Sequence, residues 1–162
     1  MKETYIRNII FGIADSLVST VGLLSGLGAT GAAPRAIIST GIIYAFVEAF
    51  SMAVGSFLSE RSAEEYTAQG ETKDSRAFLG GAVMFISFIL VSFIPIAPYI
   101  FLSPSIALFA SVGFSLLALF IAGFFTAYVS KIPVFSHALS TALVGGAAIV
   151  IGVVVGIFMP AA

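Results

Sequence analysis

The stretch FGIADSLVSTVGLLSGLGAT (11–30) decides how this chain folds, because it is a membrane-length apolar run with a carboxylate, Asp15, set inside it. The run opens near Tyr5 and lasts to about Ala29, longer than the roughly 20 residues that a bilayer requires. Lys2 and Arg7 precede it, which is the layout of a cleavable signal peptide. Asp15, however, interrupts the short apolar core such a peptide needs, and hydrophobic residues resume beyond it. The stretch therefore reads as a retained first transmembrane helix.

Composition agrees with that reading along the whole chain. Apolar residues make up 59% and charged residues 9%, with a mean hydropathy of +1.13, too hydrophobic for a soluble core of this size. The expectation is one all-α transmembrane domain over 1–162. Without cysteine there is no disulfide or thiolate chemistry, and the lone His137 forms no multi-histidine site. A net charge of −1 with no basic patch argues against a nucleic-acid partner. No hydrolytic or redox constellation is visible, so the chain does not read as an enzyme, and no cofactor is expected.

Five spans follow, at about 5–29, 36–58, 78–99, 105–129 and 136–159. Prolines mark three short connections: Pro34 in the first, Pro98 to Pro104 in the third and Pro133 in the fourth. The second connection, 59–77, is long and polar and holds five of the chain's eight acidic residues: Glu60, Glu64, Glu65, Glu71 and Asp74. Lys2, Arg7, Arg61, Lys73, Arg76 and Lys131 fall on one side of the membrane, and Arg35 alone on the other. The positive-inside rule then sets the N-terminus and the acidic connection in the cytoplasm and the C-terminus outside.

Two acids lie deep in the spans, Asp15 and Glu48. On insertion scales an Asp at a helix centre costs roughly 2.5 to 3.5 kcal/mol, so such residues normally face a cavity, a partner or an ion path. Asp15 heads a stripe with Ser19, Gly22 and Gly26, a small and polar face suited to close approach of another helix. Glu48, Met52 and Ser56 share a face of the second span, with Ser51 and Gly55 beside them, and Gly55 is a third candidate packing glycine. A carboxylate with a thioether one turn away suits a divalent transition metal better than magnesium or calcium. Glu60, Glu64 and Glu65, closely spaced on the second connection, are a possible cytoplasmic metal-capture group.

Two segments carry a family resemblance. FGIADSLVSTVGLLSGLGA (11–29) resembles the first-helix signature of the vacuolar iron transporter family, and FVEAFSMAVGSFLSERSAEEY (46–66) resembles its second. SHALSTALVGGAAIVIGVVVG (136–156) is similar to the family's glycine-rich last span. The resemblance implies a five-helix homodimer that exports ferrous or manganous ions (Fe2+, Mn2+) from the cytosol in exchange for protons. It also implies that Asp15, Glu48 and Met52 line the ion path between protomers. The chain departs from the family pattern where Ala14-Asp15-Ser16 replaces Asn-Asp-Gly, where Ser56 follows Gly55 in place of Glu, and where the second connection is too short for the long glutamate-rich extension. Its short loops and lack of targeting signals point to a prokaryotic plasma membrane. Two other readings use the same acids: a proton-coupled organic-cation antiporter and a non-transporting membrane scaffold.

Overall fold

The computed structural model describes residues 2–68 and 74–159, so Glu71 and Lys73 of the acidic connection lie outside the described residues. Five helices follow in order: α1 (Lys2–Ala29), α2 (Pro34–Ala68), α3 (Asp74–Phe101), α4 (Pro104–Ser130) and α5 (Val134–Phe158). Each contains a stretch long and apolar enough to cross a bilayer, the shortest spanning 25 residues, or about 37 Å of helix against a hydrocarbon core of about 30 Å. The chain is an integral membrane protein of the all-α class.

Turn chemistry fixes the connections. Gly31, with φ 81°, ends α1 in the left-handed conformation while the Gly31 and Ala32 amides bond back to the carbonyls of Gly28 and Leu27. This is the closure that glycine serves best. Lys131 takes the same left-handed place after α4 (φ 56°, ψ 37°), and Pro133 then precedes α5. α3 behaves differently from the expectation that Pro98 begins a turn, for it carries Pro95 and Pro98 inside the helix and ends at Phe101. A broken helix in lipid would expose several backbone groups, whereas a continued one forfeits few, and neighbouring hydroxyls help. The carbonyls left without an i+4 amide are those of Val91 and Ile94, and Ser111 of α4 donates to the adjoining Pro95 carbonyl at 2.7 Å, tying α4 to this part of α3. α2 continues as helix past the bilayer-length stretch to Ala68, so Glu60, Arg61, Glu64 and Glu65 are all helical.

α1 is the centre of the bundle. Half of its apolar stretch is buried, against about a tenth of that in α5, and it touches every other helix. Between α1 and α3 the contacts recur every four residues. Asn8 meets Gly80, Gly12 meets Met84, and Ser16 donates to the Phe88 carbonyl at 2.8 Å, so the two run parallel. The serine that departs from the family motif at position 16 thus serves as an interhelical tie. α1 and α5 also run parallel and approach backbone to backbone at their glycines. A Cβ on Gly26 would stand 2.9 Å from the Gly152 carbonyl oxygen, and a Cβ on Gly152 or Gly156 would collide with the carbonyl of Gly22 or Gly26.

Among the described residues the buried polar ones are Asn8, Ser16, Thr20, Ser25, Ser92, Ser111 and Ser115, while Phe46, Phe50, Phe109 and Phe135 lie outside. That distribution suits a bundle in lipid, where burying apolar surface gains little and small hydroxyl-bearing residues let helices close up. α2 packs on α3 and α5 on α4, but α2 and α5 form no extended contact with each other. One face of α1 is left open between them.

Candidate functional site

Pairings between α1 and α2 form a polar ladder. At the end carrying the α1 N-terminus, Arg7 reaches Glu60 at 3.4 Å. One turn along, Asn8 donates to Ser56 at 2.9 Å. Asp15 and Glu48 come next, near enough for their charges to interact. Beyond them Tyr44 of α2 stands near Ser19, whose own proton goes to the Asp15 backbone carbonyl at 2.6 Å. The sums 8+56, 15+48 and 19+44 are nearly constant, as an antiparallel pair requires. Tyr44, Glu48, Met52 and Ser56 fall on one α2 face because each is four residues from the next. The structure therefore brings Asp15 and Glu48 together, with Met52 one turn away toward the Asn8 end.

Asp15 is half-buried and lines an open cleft of about 440 Å³ with Phe11, Val18, Leu119, His137, Ser140 and Thr141. The glycine contacts set the register: Gly22 lies against Ala148 and Gly26 against Gly152. The same offset puts Thr141 level with Asp15 and His137 one turn nearer the α1 N-terminus. His137 was invisible as a site residue in the sequence, since nothing there relates α5 to α1.

A second groove, of about 620 Å³, opens between α1, α2 and α3 and is lined by Asn8, Met52, Ser56 and Met84 among others. Phe11 borders both this groove and the Asp15 cleft.

The other candidates have ordinary surroundings. Gly22 and Gly26 lie in the α1–α5 contact, whereas a Cβ on Gly55 would meet nothing within 4 Å. Glu60 is engaged by Arg7 and Glu65 by Arg61 at 2.9 Å, one turn away, while Glu64 is half-buried. Among the described residues no three His, Cys, Asp or Glu side chains come together as a metal cluster. Within one chain, the candidate membrane site is thus two carboxylates, a thioether and hydroxyls.

Comparison with known proteins bears on this arrangement. The family model described as the VIT family matches residues 6–79 and 69–157, which takes in all five helices. A curated relative, Vacuolar iron transporter homolog 5 of Oryza sativa subsp. japonica, is 38% identical over 58 residues, or 36% of this chain. That match spans 28% of the rice protein's length. With its five helices, its paired intramembrane acids and a family match along nearly its full length, the chain belongs to the VIT family.

Proposed function

We propose that this protein transports a divalent transition metal ion, ferrous or manganous, out of the cytosol in exchange for protons. The observation that carries the reading is that the antiparallel α1–α2 register fixed by the Asn8–Ser56 bond brings Asp15 and Glu48, both half-buried, to about the same level of the bundle. Asp15 sits eleven residues into its span, roughly 16 Å deep, about the middle of the hydrocarbon. A carboxylate pair at that depth is costly unless it serves an ion, and the thioether of Met52 biases the donor set toward transition metals. The VIT family match and the name of the rice relative support the same reading.

Two carboxylates and one thioether are few donors for a six-coordinate ion. The open α1 face between α2 and α5 supports a homodimer in which a second copy brings its own Asp15, Glu48 and Met52 to the first. Proton coupling then has a simple physical basis. Metal and protons compete for the same carboxylate oxygens, so loading the ion releases protons and unloading it takes them up. The distribution of basic residues supports a cytosolic N-terminus, and the short connections support a prokaryotic plasma membrane as the setting.

An organic cation would call for a cage of Phe, Tyr or Trp rings, and of these the described lining of the Asp15 cleft offers Phe11 alone. Proteoliposomes with a trapped pH-sensitive dye test the proposal: ferrous or manganous uptake should be accompanied by proton efflux. Metal movement indifferent to a pH gradient sinks the exchange, and no movement at all sinks the transport reading.

A further inference from the structure

A groove of about 520 Å³ opens between α1, α3 and α4 and shares no lining residue with the Asp15 cleft or with the groove beside Met52. Its floor is the α1 face of Ile6, Ile9, Ile13 and Leu17, residues three and four apart. Ala118 and Ala122, small side chains on α4, give it depth. Among the described lining only Thr126 is polar, and its hydroxyl donates to the Ala122 carbonyl of its own helix at 2.8 Å. The groove therefore offers nothing to an ion.

Its length and its two ends identify what it does suit. From Ile6 to Leu17 the floor runs eleven residues, or about 16 Å, half of a hydrocarbon core of about 30 Å. α4 covers the same distance in the opposite direction, from Val129 back to Ala118. Because Ser16 meets Phe88, Val91 and Ile94 of α3 stand level with residues 19 and 22 of α1, just past Leu17, and close the groove at mid-bilayer. The other end opens at the membrane surface beside Ile6 and Val129. Tyr5 and Tyr128 adjoin those two residues, and the exposed Lys131 follows at the end of α4. Tyrosine rings settle at headgroup level, and a lysine there draws anionic headgroups.

Water gains no hydrogen bonds from an apolar wall, and an unfilled groove forfeits the dispersion contacts of its lining. A transmembrane helix about 10 Å across would run on past the closed end at mid-bilayer, whereas a single acyl chain stops there with its headgroup at the mouth. We propose that the α1–α3–α4 groove binds one acyl chain of an anionic phospholipid, with the lipid phosphate at Lys131. Three helices then contact the chain where a plain helix face offers one. The lipid becomes a wedge between α3 and α4, seated against the helix that carries Asp15. This site is independent of which ion the protein moves.

The chain contains no tryptophan, so a single introduced one reports on a single place. Phe125→Trp puts the reporter in the groove, at an exposed lining position. Leu139→Trp puts it on α5, exposed and outside the clefts described above. In phosphatidylcholine vesicles holding the full chain, fluorescence quenching by a small fraction of brominated phosphatidylglycerol is compared with quenching by brominated phosphatidylcholine. At position 125 phosphatidylglycerol should be preferred about fivefold, the worth of one lysine at a membrane surface, and at position 139 the two lipids should quench alike. Lys131→Gln should abolish the preference at position 125. Ala122→Phe, which fills the groove, should abolish it too while circular dichroism shows the helices intact. Equal quenching by the two lipids at position 125, or a preference that survives Lys131→Gln, overturns the proposal. A reporter at position 125 shielded from both lipids overturns it as well and gives the groove to a protein partner. Metal uptake is read in no arm, so failure here leaves the transport reading standing, and a failure of transport leaves the lipid site standing.

Discussion

Replacing Gly152 with alanine puts one methyl group where α1 and α5 meet backbone to backbone. The added carbon would collide with the Gly22 carbonyl oxygen, whereas carbon–oxygen contacts of this kind settle at about 3.3 Å or more. The helices must therefore part by roughly an ångström, and overpacking of that sort costs about 1–3 kcal/mol. Separation also weakens the Cα–H···O contacts of the crossing, each worth about 0.5–1 kcal/mol. Against this, alanine is the better helix former by about 1 kcal/mol. The net expectation is a loss of about 1–2 kcal/mol, using the same ranges. Gly113 provides the control, because a Cβ there meets nothing within 4 Å, so Gly113→Ala keeps the propensity gain of up to about 1 kcal/mol without the clash. Titration with SDS from dodecylmaltoside, followed by far-UV circular dichroism, should separate the two variants by about 2–3 kcal/mol, the sum of those two effects. If Gly152→Ala matches or exceeds Gly113→Ala in stability, the glycine-mediated α1–α5 contact is refuted, and with it the register that brings His137 to the Asp15 cleft.

Two further predictions concern single interactions. Ser16→Ala removes the 2.8 Å bond to the Phe88 carbonyl and should cost about 0.6 kcal/mol, the average for interhelical bonds in membranes, in the same titration; a change beyond about 2 kcal/mol would mean that the serine does more than tie α1 to α3. Glu65→Gln breaks an exposed one-turn ion pair with Arg61, and its stability should stay within about 0.5 kcal/mol of native.

The five helices were legible because length and hydropathy alone decide which segments enter a bilayer. Asp15 and Glu48 were legible because charge is rare and costly there. Register was not. In a soluble helix the apolar stripe points inward, but here Leu and Phe are as comfortable facing lipid as facing a neighbour, so the pattern says little about which side of α1 meets α5. Asn8 and Met84 gained meaning only once α1 and α3 were seen in contact every four residues. His137 needed the glycine contacts that align α5 with α1. Pro98 misled for a physical reason: the rule that proline stops helices assumes water to solvate the freed carbonyls, and a membrane supplies none.

Metal uptake with proton counterflow, compared side by side for the native chain, Asp15→Asn and Glu48→Gln, tests the account most directly. Both substitutions keep size and remove charge. The account predicts that native protein moves ferrous or manganous ions against protons, and that each variant loses both fluxes together while remaining folded by circular dichroism. Full transport in either folded variant would contradict it, because the carboxylates would then be interhelical ties and the ion would travel by another route.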